Sequence, residues 1–211
     1  MSRDLLWDND PTPESVSRVV NFSDAVVAIA MTLLVLPLVD IDPPEDGHSM
    51  WDVLSENSGS LLAFVLSFVI TLMYWRRHHR LFDGLVSFTP ALLAMNGAWL
   101  LLVVFLQFPT EILGRSTAPG ISSLYLLTLS LITWLGCAML IYLRRTPGLV
   151  EDGRAPKADQ AGWAALTAAY MLALAVVGLW APSAALWGLL GLIPLGWIES
   201  LWNRRRAART A

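Results

Sequence analysis

The sequence predicts an all-α membrane protein with six transmembrane helices per subunit and both termini in the cytoplasm. Three observations support this. Of 211 residues, 55% are hydrophobic and only 15% are charged, whereas a soluble domain carries about a quarter charged residues. Long stretches lack Asp, Glu, Lys and Arg altogether: Ala25 to Val39, Asn57 to Trp75, Gly84 to Thr110, Ser116 to Leu143 and Ala161 to Ile198. The 14 Lys and Arg are segregated, all but Arg115 falling on one side of the spans that these stretches define.

A spanning helix needs about 20 mostly apolar residues. The first four stretches each supply one span, at about 17 to 39, 57 to 76, 86 to 109 and 120 to 143. The last would reach about 57 Å as a single helix and must fold back. Pro182 lies near its middle and disfavours a continuous helix there. This gives spans five and six at 161 to 180 and 183 to 202. A cytoplasmic arm (1–16) precedes the transmembrane domain (17–203), and a basic tail (204–211) follows it, with Arg204, Arg205 and Arg206 suited to anionic lipid heads.

Orientation follows from the positive-inside rule. The segments before span one, after span two, between spans four and five and after span six hold every basic residue except Arg115. The first external loop instead carries Asp40, Asp42, Glu45, Asp46, Asp52 and Glu56, with no Lys or Arg. These carboxylates are either a solvated acidic loop or a means of concentrating cations outside. A net charge of −3 argues against a nucleic-acid partner. Cys137 alone can build neither a disulfide framework nor a multi-thiolate metal site. No signal peptide is expected, because the arm lacks an apolar core and a small-residue cleavage site. No phosphate loop, H-E-x-x-H or G-x-S-x-G occurs, so neither enzyme activity nor a cofactor is expected.

The uncharged part of span one covers only about 22 Å, so the helix must begin near Arg18 and draw Asn21, Ser23 and Asp24 to the inner edge of the hydrocarbon. A carboxylate there is costly and faces protein or water. It is either a helix-start cap or a functional group. The surrounding residues, Arg18-Val-Val-Asn-Phe22-Ser23-Asp24 followed by Ala28-Ile29-Ala30-Met31-Thr32-Leu33-Leu34-Val35-Leu36, resemble the R-x-x-x-F-S-D signature and its A-I-x-x-T-L-L-V-L continuation. These mark the prokaryotic relatives of transmembrane protein 175, the endosomal and lysosomal potassium channel. Trp75-Arg-Arg-His78-His79-Arg80-Leu81-Phe82 is similar to the family's W-x-x-H-H-x-x-F, and Asn96 with Phe105-Leu-Gln-Phe108-Pro109-Thr110 resembles its span-three pattern. The motifs cover residues 18 to 110; beyond them only the span count agrees.

The resemblance implies a cation channel in a prokaryotic cell membrane, with four six-span subunits around a pore lined by span one. R-x-x-x-F-S-D occurs once in this chain, so a homotetramer would be required. Ile29, Leu33 and Leu36 recur at i, i+4 and i+7 on one helix face, with Thr32 beside them. By spacing alone this is an ordinary packing stripe. By resemblance it is the pore constriction and selectivity element. No glycine-rich carbonyl filter is present, so preference for potassium would come from the lower cost of dehydrating the larger ion. Potassium would pass transiently, and no other metal is expected.

The resemblance also assigns a structural network behind the pore to Arg18, Phe22, Ser23, Asp24, Trp75, His78 and Asn96. Asp24 can pair with Arg18, His78 or His79, and His78 and His79 compete for the network role. A di-histidine metal site is disfavoured, because adjacent helical residues point about 100° apart. Asn96 needs an inter-helix partner at its depth. The alternative function is a proton-coupled secondary transporter using Asp24 and His78, although such proteins favour broken helices at midplane in repeated halves.

Overall fold

A computed structural model of the chain describes residues 12–192, apart from 45, 46, 48, 117, 119, 152, 153 and 155–157. Helix α1 (Pro13–Leu33) opens with Pro13 in its first turn, and the Thr12 side chain accepts a hydrogen bond from the Ser15 amide at 3.2 Å. Both devices suit a helix start. The helix breaks at Leu34 and Val35 and resumes as α2 (Leu36–Val39). Pro37 explains the break, because it has no N–H to offer the Leu33 carbonyl one turn back.

A short helix, α3 (Met50–Glu56), carries a reciprocal cap between Ser49 and Asp52. It leads almost directly into α4 (Ser58–Phe82). Helix α5 (Pro90–Phe105) is capped by Thr89 and continues after Leu106 as α6 (Gln107–Arg115). Then come α7 (Ile121–Arg145), α8 (Ala158–Val177) and α9 (Pro182–Gly188), which ends in a 3-10 turn at Leu189–Gly191.

The all-helical expectation holds among the described residues. Four stretches are long and apolar enough to cross a bilayer: Pro13–Val39, Ser58–Phe82, Pro90–Arg115 and Ile121–Arg145. The fifth apolar run does divide, between Val177 and Pro182. The rest of the expected sixth span, the 204–211 tail and residues 1–11 of the arm lie outside the described residues.

Several helix ends differ from the expected spans: α1 begins at Pro13, the third stretch runs on to Arg115 and α8 covers Ala158–Val177. Helix α4 runs on to Phe82 instead of stopping near 76, because basic side chains in a last turn complement the helix dipole. The third span starts at Pro90, later than 86, because the preceding loop is extended. There Val86 N–H donates to Leu149 C=O at 2.9 Å and Glu151 N–H to Gly84 C=O at 2.9 Å, clasping the α4–α5 and α7–α8 loops together. Gly84 turns into this clasp at φ +81°, a left-handed conformation that suits glycine.

Helix α7 is the hub. It packs against α5, α6, α8 and α9, and Tyr125, Leu126, Leu129, Ile132 and Met139 on it are fully buried. Half of its central window is buried, against 22% for the first span. Within the described residues α1, like α4, therefore leaves much of its surface uncovered.

Helix α4 contributes a buried polar seam. Ser67, Thr71, Tyr74 and His78 recur at helical spacing on its inward face. The Ser67 hydroxyl meets Thr110 and Tyr125, each at 3.0 Å. Tyr74 O–H donates to Leu129 C=O at 2.8 Å and lies 2.9 Å from Thr133. Near the start of α4, that helix and α6 approach so closely that a Cβ on Gly114 would stand 2.7 Å from Ser60 Cα.

Candidate pore face and the polar network behind it

The inward face of α1 is Val16, Ser23, Val27 and Ala30, continued by Leu34, all buried. They recur at three-, four- and seven-residue steps and seat α1 against α4 and α5. The opposite face carries the stripe singled out in the sequence. Ile29 is 60% exposed, Leu33 41% and Leu36 52%, with Thr32 exposed beside them. Phe22 is also exposed, on this face and away from the bundle. Thr32 O–H donates to Ile29 C=O at 2.7 Å, which satisfies the hydroxyl locally.

Behind this face two hydrogen-bonded sets fix the height and rotation of α1. In the first, His78 Nε2 lies 2.7 Å from Asn96 Oδ1. Asn96 Nδ2 donates to Ser23 Oγ at 2.9 Å, and Ser23 O–H donates to Val19 C=O at 2.9 Å. An amide oxygen only accepts, so His78 carries its proton on Nε2. His78, Asn96 and Ser23 are all buried, and Phe82 and Trp99 stack on the imidazole at 4.4 and 4.2 Å between centroids.

In the second set, Trp75 Nε1–H donates to Asp24 Oδ1 at 2.9 Å and His79 Nδ1 stands 3.3 Å from Asp24 Oδ2. The Trp75 and His79 rings lie 5.4 Å apart. Asp24 is thus held by α4, its two oxygens taken by different partners.

The structure therefore brings together Ser23, His78 and Asn96, and separately Asp24 and Trp75. His78, not His79, is the buried network histidine; His79 is 50% exposed and belongs to the Asp24 pair. Arg18 is not brought to Asp24. It is exposed and lies six residues, about 240° of helix, from the carboxylate, on the same side as Ile29 and Leu36. Among the described residues no group of three or more His, Cys, Asp or Glu could hold a metal. Sequence reasoning missed Trp99, Phe82 and the Ser67–Thr110–Tyr125 and Tyr74–Thr133 contacts. The signal for the latter was hydroxyl-bearing residues at helical spacing with His78 on an otherwise apolar span.

Of the carboxylates between α1 and α4, Asp52 accepts from the Ser49 amide at 2.7 Å and from its hydroxyl at 2.8 Å, within the α3 cap. Asp40 stands 4.0 Å from Arg115, which also pairs with Glu111 at 3.6 Å. Glu45 and Asp46 lie outside the described residues.

Comparison with known proteins gives this arrangement a context. Residues 18–106 match the profile of a family described as the endosomal/lysosomal potassium channel TMEM175. A potassium channel of Chamaesiphon minutus is 38% identical over 111 residues, which are 50% of this chain and 52% of that one. A potassium channel of Streptomyces collinus is 37% identical over 100 residues, 46% of this chain and 47% of that one. The chain thus spans about half the length of the curated relatives it matches. The crystal structure of a lysosomal potassium-selective channel TMEM175 homolog from Chamaesiphon minutus superposes with a TM-score of 0.75 at 24% identity, covering 88% of this chain and 98% of that one. That likeness is one of fold.

Proposed function

We infer, from the similarity of residues 18–106 to the TMEM175 family profile, that this protein is a potassium-permeable, potassium-preferring channel that conducts passively. It works as a homotetramer in the cell membrane of a prokaryote. Each subunit contributes six spans with cytoplasmic termini, and α1 of four copies lines the pore. Residues 17–203 form the channel domain, between a cytoplasmic arm and a basic tail.

The single observation that supports this most is the two-sidedness of α1. One face is bonded into the bundle through Ser23 and Asp24, while Ile29, Leu33 and Leu36 stand uncovered in a line. One such helix cannot enclose a path, whereas four related by rotation can. Ile29, Leu33 and Leu36 would then form successive apolar rings, with Thr32 supplying hydroxyls between them. An apolar ring has no groups to replace the hydration shell, so it favours the ion that sheds water more cheaply and also gates by dewetting. The polar sets behind α1 hold the rings at a fixed radius, with Arg18 and Phe22 at the cytoplasmic mouth.

A transporter relaying protons between Asp24 and His78 is less well supported, since the two side chains bond to different partners. Reconstitution into planar bilayers under potassium, sodium and chloride gradients tests the reading. Unitary currents reversing near the potassium potential are expected, and Ile29→Asn or Leu33→Ala should shift that reversal toward sodium. Anion-selective currents, no current, or variants with unaltered conductance and selectivity would overturn it.

A further inference from the structure

The helix that carries the exposed stripe is not one rigid rod. Ile29 and Leu33 belong to α1, Leu36 to α2, and the break at Leu34 and Val35 separates them. The junction is weak on the α1 side: Val35 N–H reaches Thr32 C=O only at 3.4 Å, and Pro37 donates nothing to Leu33. Leu38 N–H, by contrast, reaches Val35 C=O at 2.9 Å, so Val35 moves with α2. Beside α2 lies an open-sided cavity of about 490 Å³, lined by Pro37, Asp40, Val53, Asn57, Ser60 and Arg115 among others. Leu36 is not part of that lining, so the space opens on a different side of the segment from the stripe. Directly after α2, Asp40 stands within 4.0 Å of Arg115, at the end of α6. Hinge, room and tether thus occur on one short segment.

We propose that Leu36–Val39 is a movable outer section of the pore helix, which swings on the Leu34–Val35 break into the cavity beside it and is restrained by Arg115. This rests on the channel reading above. In the arrangement described Pro37 forms part of the cavity wall, while Leu36 lies on the other side of the segment. Opening carries Leu36 off the ion path while Ile29 and Leu33, anchored through Ser23 and Asp24, keep their place. The outer ring would then set how often the pore opens, and the inner rings what passes.

Single-channel recording of the full-length chain in planar bilayers tests this with three variants outside the stripe. Arg115→Gln removes the tether and should raise open probability about threefold, the scale of an exposed ion pair. Pro37→Ala restores a donor for the Leu33 carbonyl and should lower it about fivefold, the scale of one hydrogen bond. Val53→Phe fills the cavity and should also lower it, with potassium preference unchanged in all three. Open probabilities equal to that of the unaltered channel in Pro37→Ala and Val53→Phe would overturn the hinge. Lack of any cation current in the unaltered protein would instead sink the channel reading itself.

Discussion

His78 and Asn96 are joined by a 2.7 Å hydrogen bond that links α4 to α5, and the other end of the same amide reaches Ser23 on α1 at 2.9 Å. One buried side chain thereby ties three helices. The donors all run in one direction, from imidazole to amide to hydroxyl to the Val19 carbonyl, so every member is satisfied only if each keeps its role.

Replacing Asn96 with Leu leaves His78 and Ser23 without their shared partner. Ser23 keeps its bond to Val19 C=O, but the orphaned His78 Nε2–H costs about 1–3 kcal/mol, and thermal unfolding in detergent should show the loss. Ser23→Ala combined with Asn96→Leu should cost less than the sum of the single changes, because both remove one shared bond. Strict additivity would mean that the three residues do not act together.

Asp24 meets two groups from α4, the Trp75 N–H and the His79 imidazole, and they are separable. Asp24→Asn keeps an oxygen for Trp75 Nε1 and should be milder than Asp24→Ala, which abandons the indole. Trp75→Phe keeps most of the apolar area and removes only the N–H, at a cost of about 1.5 kcal/mol for a hydrogen bond to a charged acceptor near water. The same unfolding measurement ranks the three. Equal losses for Asn and Ala at position 24 would contradict the geometry.

At the α4–α6 crossing, Gly114→Ala puts a methyl 2.7 Å from a main-chain atom of Ser60. Backbone cannot yield as a side chain can, so the helices must part, at a cost of about 1–3 kcal/mol. Gly136→Ala is the control. Its Cβ would meet nothing within 4 Å, and the gain in helix propensity is about 1 kcal/mol. Opposite signs in thermal stability are expected.

Outside the spans, hydrogen bonds from the Ser49 amide and then its hydroxyl hold the Asp52 carboxyl below its ordinary value. A carboxylate whose folded pKa is depressed stabilises the fold above its unfolded pKa, and that contribution is lost as pH falls through the folded value. Protection of the Ser49 amide, taken relative to its intrinsic exchange rate at each pH, should therefore hold from neutral pH through the ordinary aspartate range, about pH 4, and fall only below it. Asp52→Asn should remove the pH step.

Periodicity grouped Ile29, Leu33 and Leu36 on one side of α1, but spacing alone would have packed that stripe inward; the buried face of Val27, Ala30 and Leu34 became visible only in the structure. Periodicity also located the turn at Pro182, because no single helix of that length fits a bilayer. It could not choose between His78 and His79 without knowing which way α4 faces. The phase was readable from Ser67 and Tyr74, which share the His78 side, but only once these polar residues are known to be buried. Pairing Arg18 with Asp24 failed on angle, since nearness along the chain and along the membrane normal says nothing about which side of a helix a residue occupies. The break before α2 was legible in Pro37, yet a proline close to a span end is equally compatible with a helix that simply stops.

The hydroxyl of Ser67 waits on Tyr125, 58 residues further along the chain, and that of Tyr74 on Thr133, 59 residues further. At a synthesis rate of about 5–20 residues per second, α4 is made some 3–12 seconds before the helix that satisfies it. During that interval Ser67 can reach only Thr110, 43 residues on, and Tyr74 lacks both of its partners on α7. Delivery of α7 from the ribosome is therefore the event that locks the earlier helices, and a chain stalled before Tyr125 should remain exposed to membrane quality control.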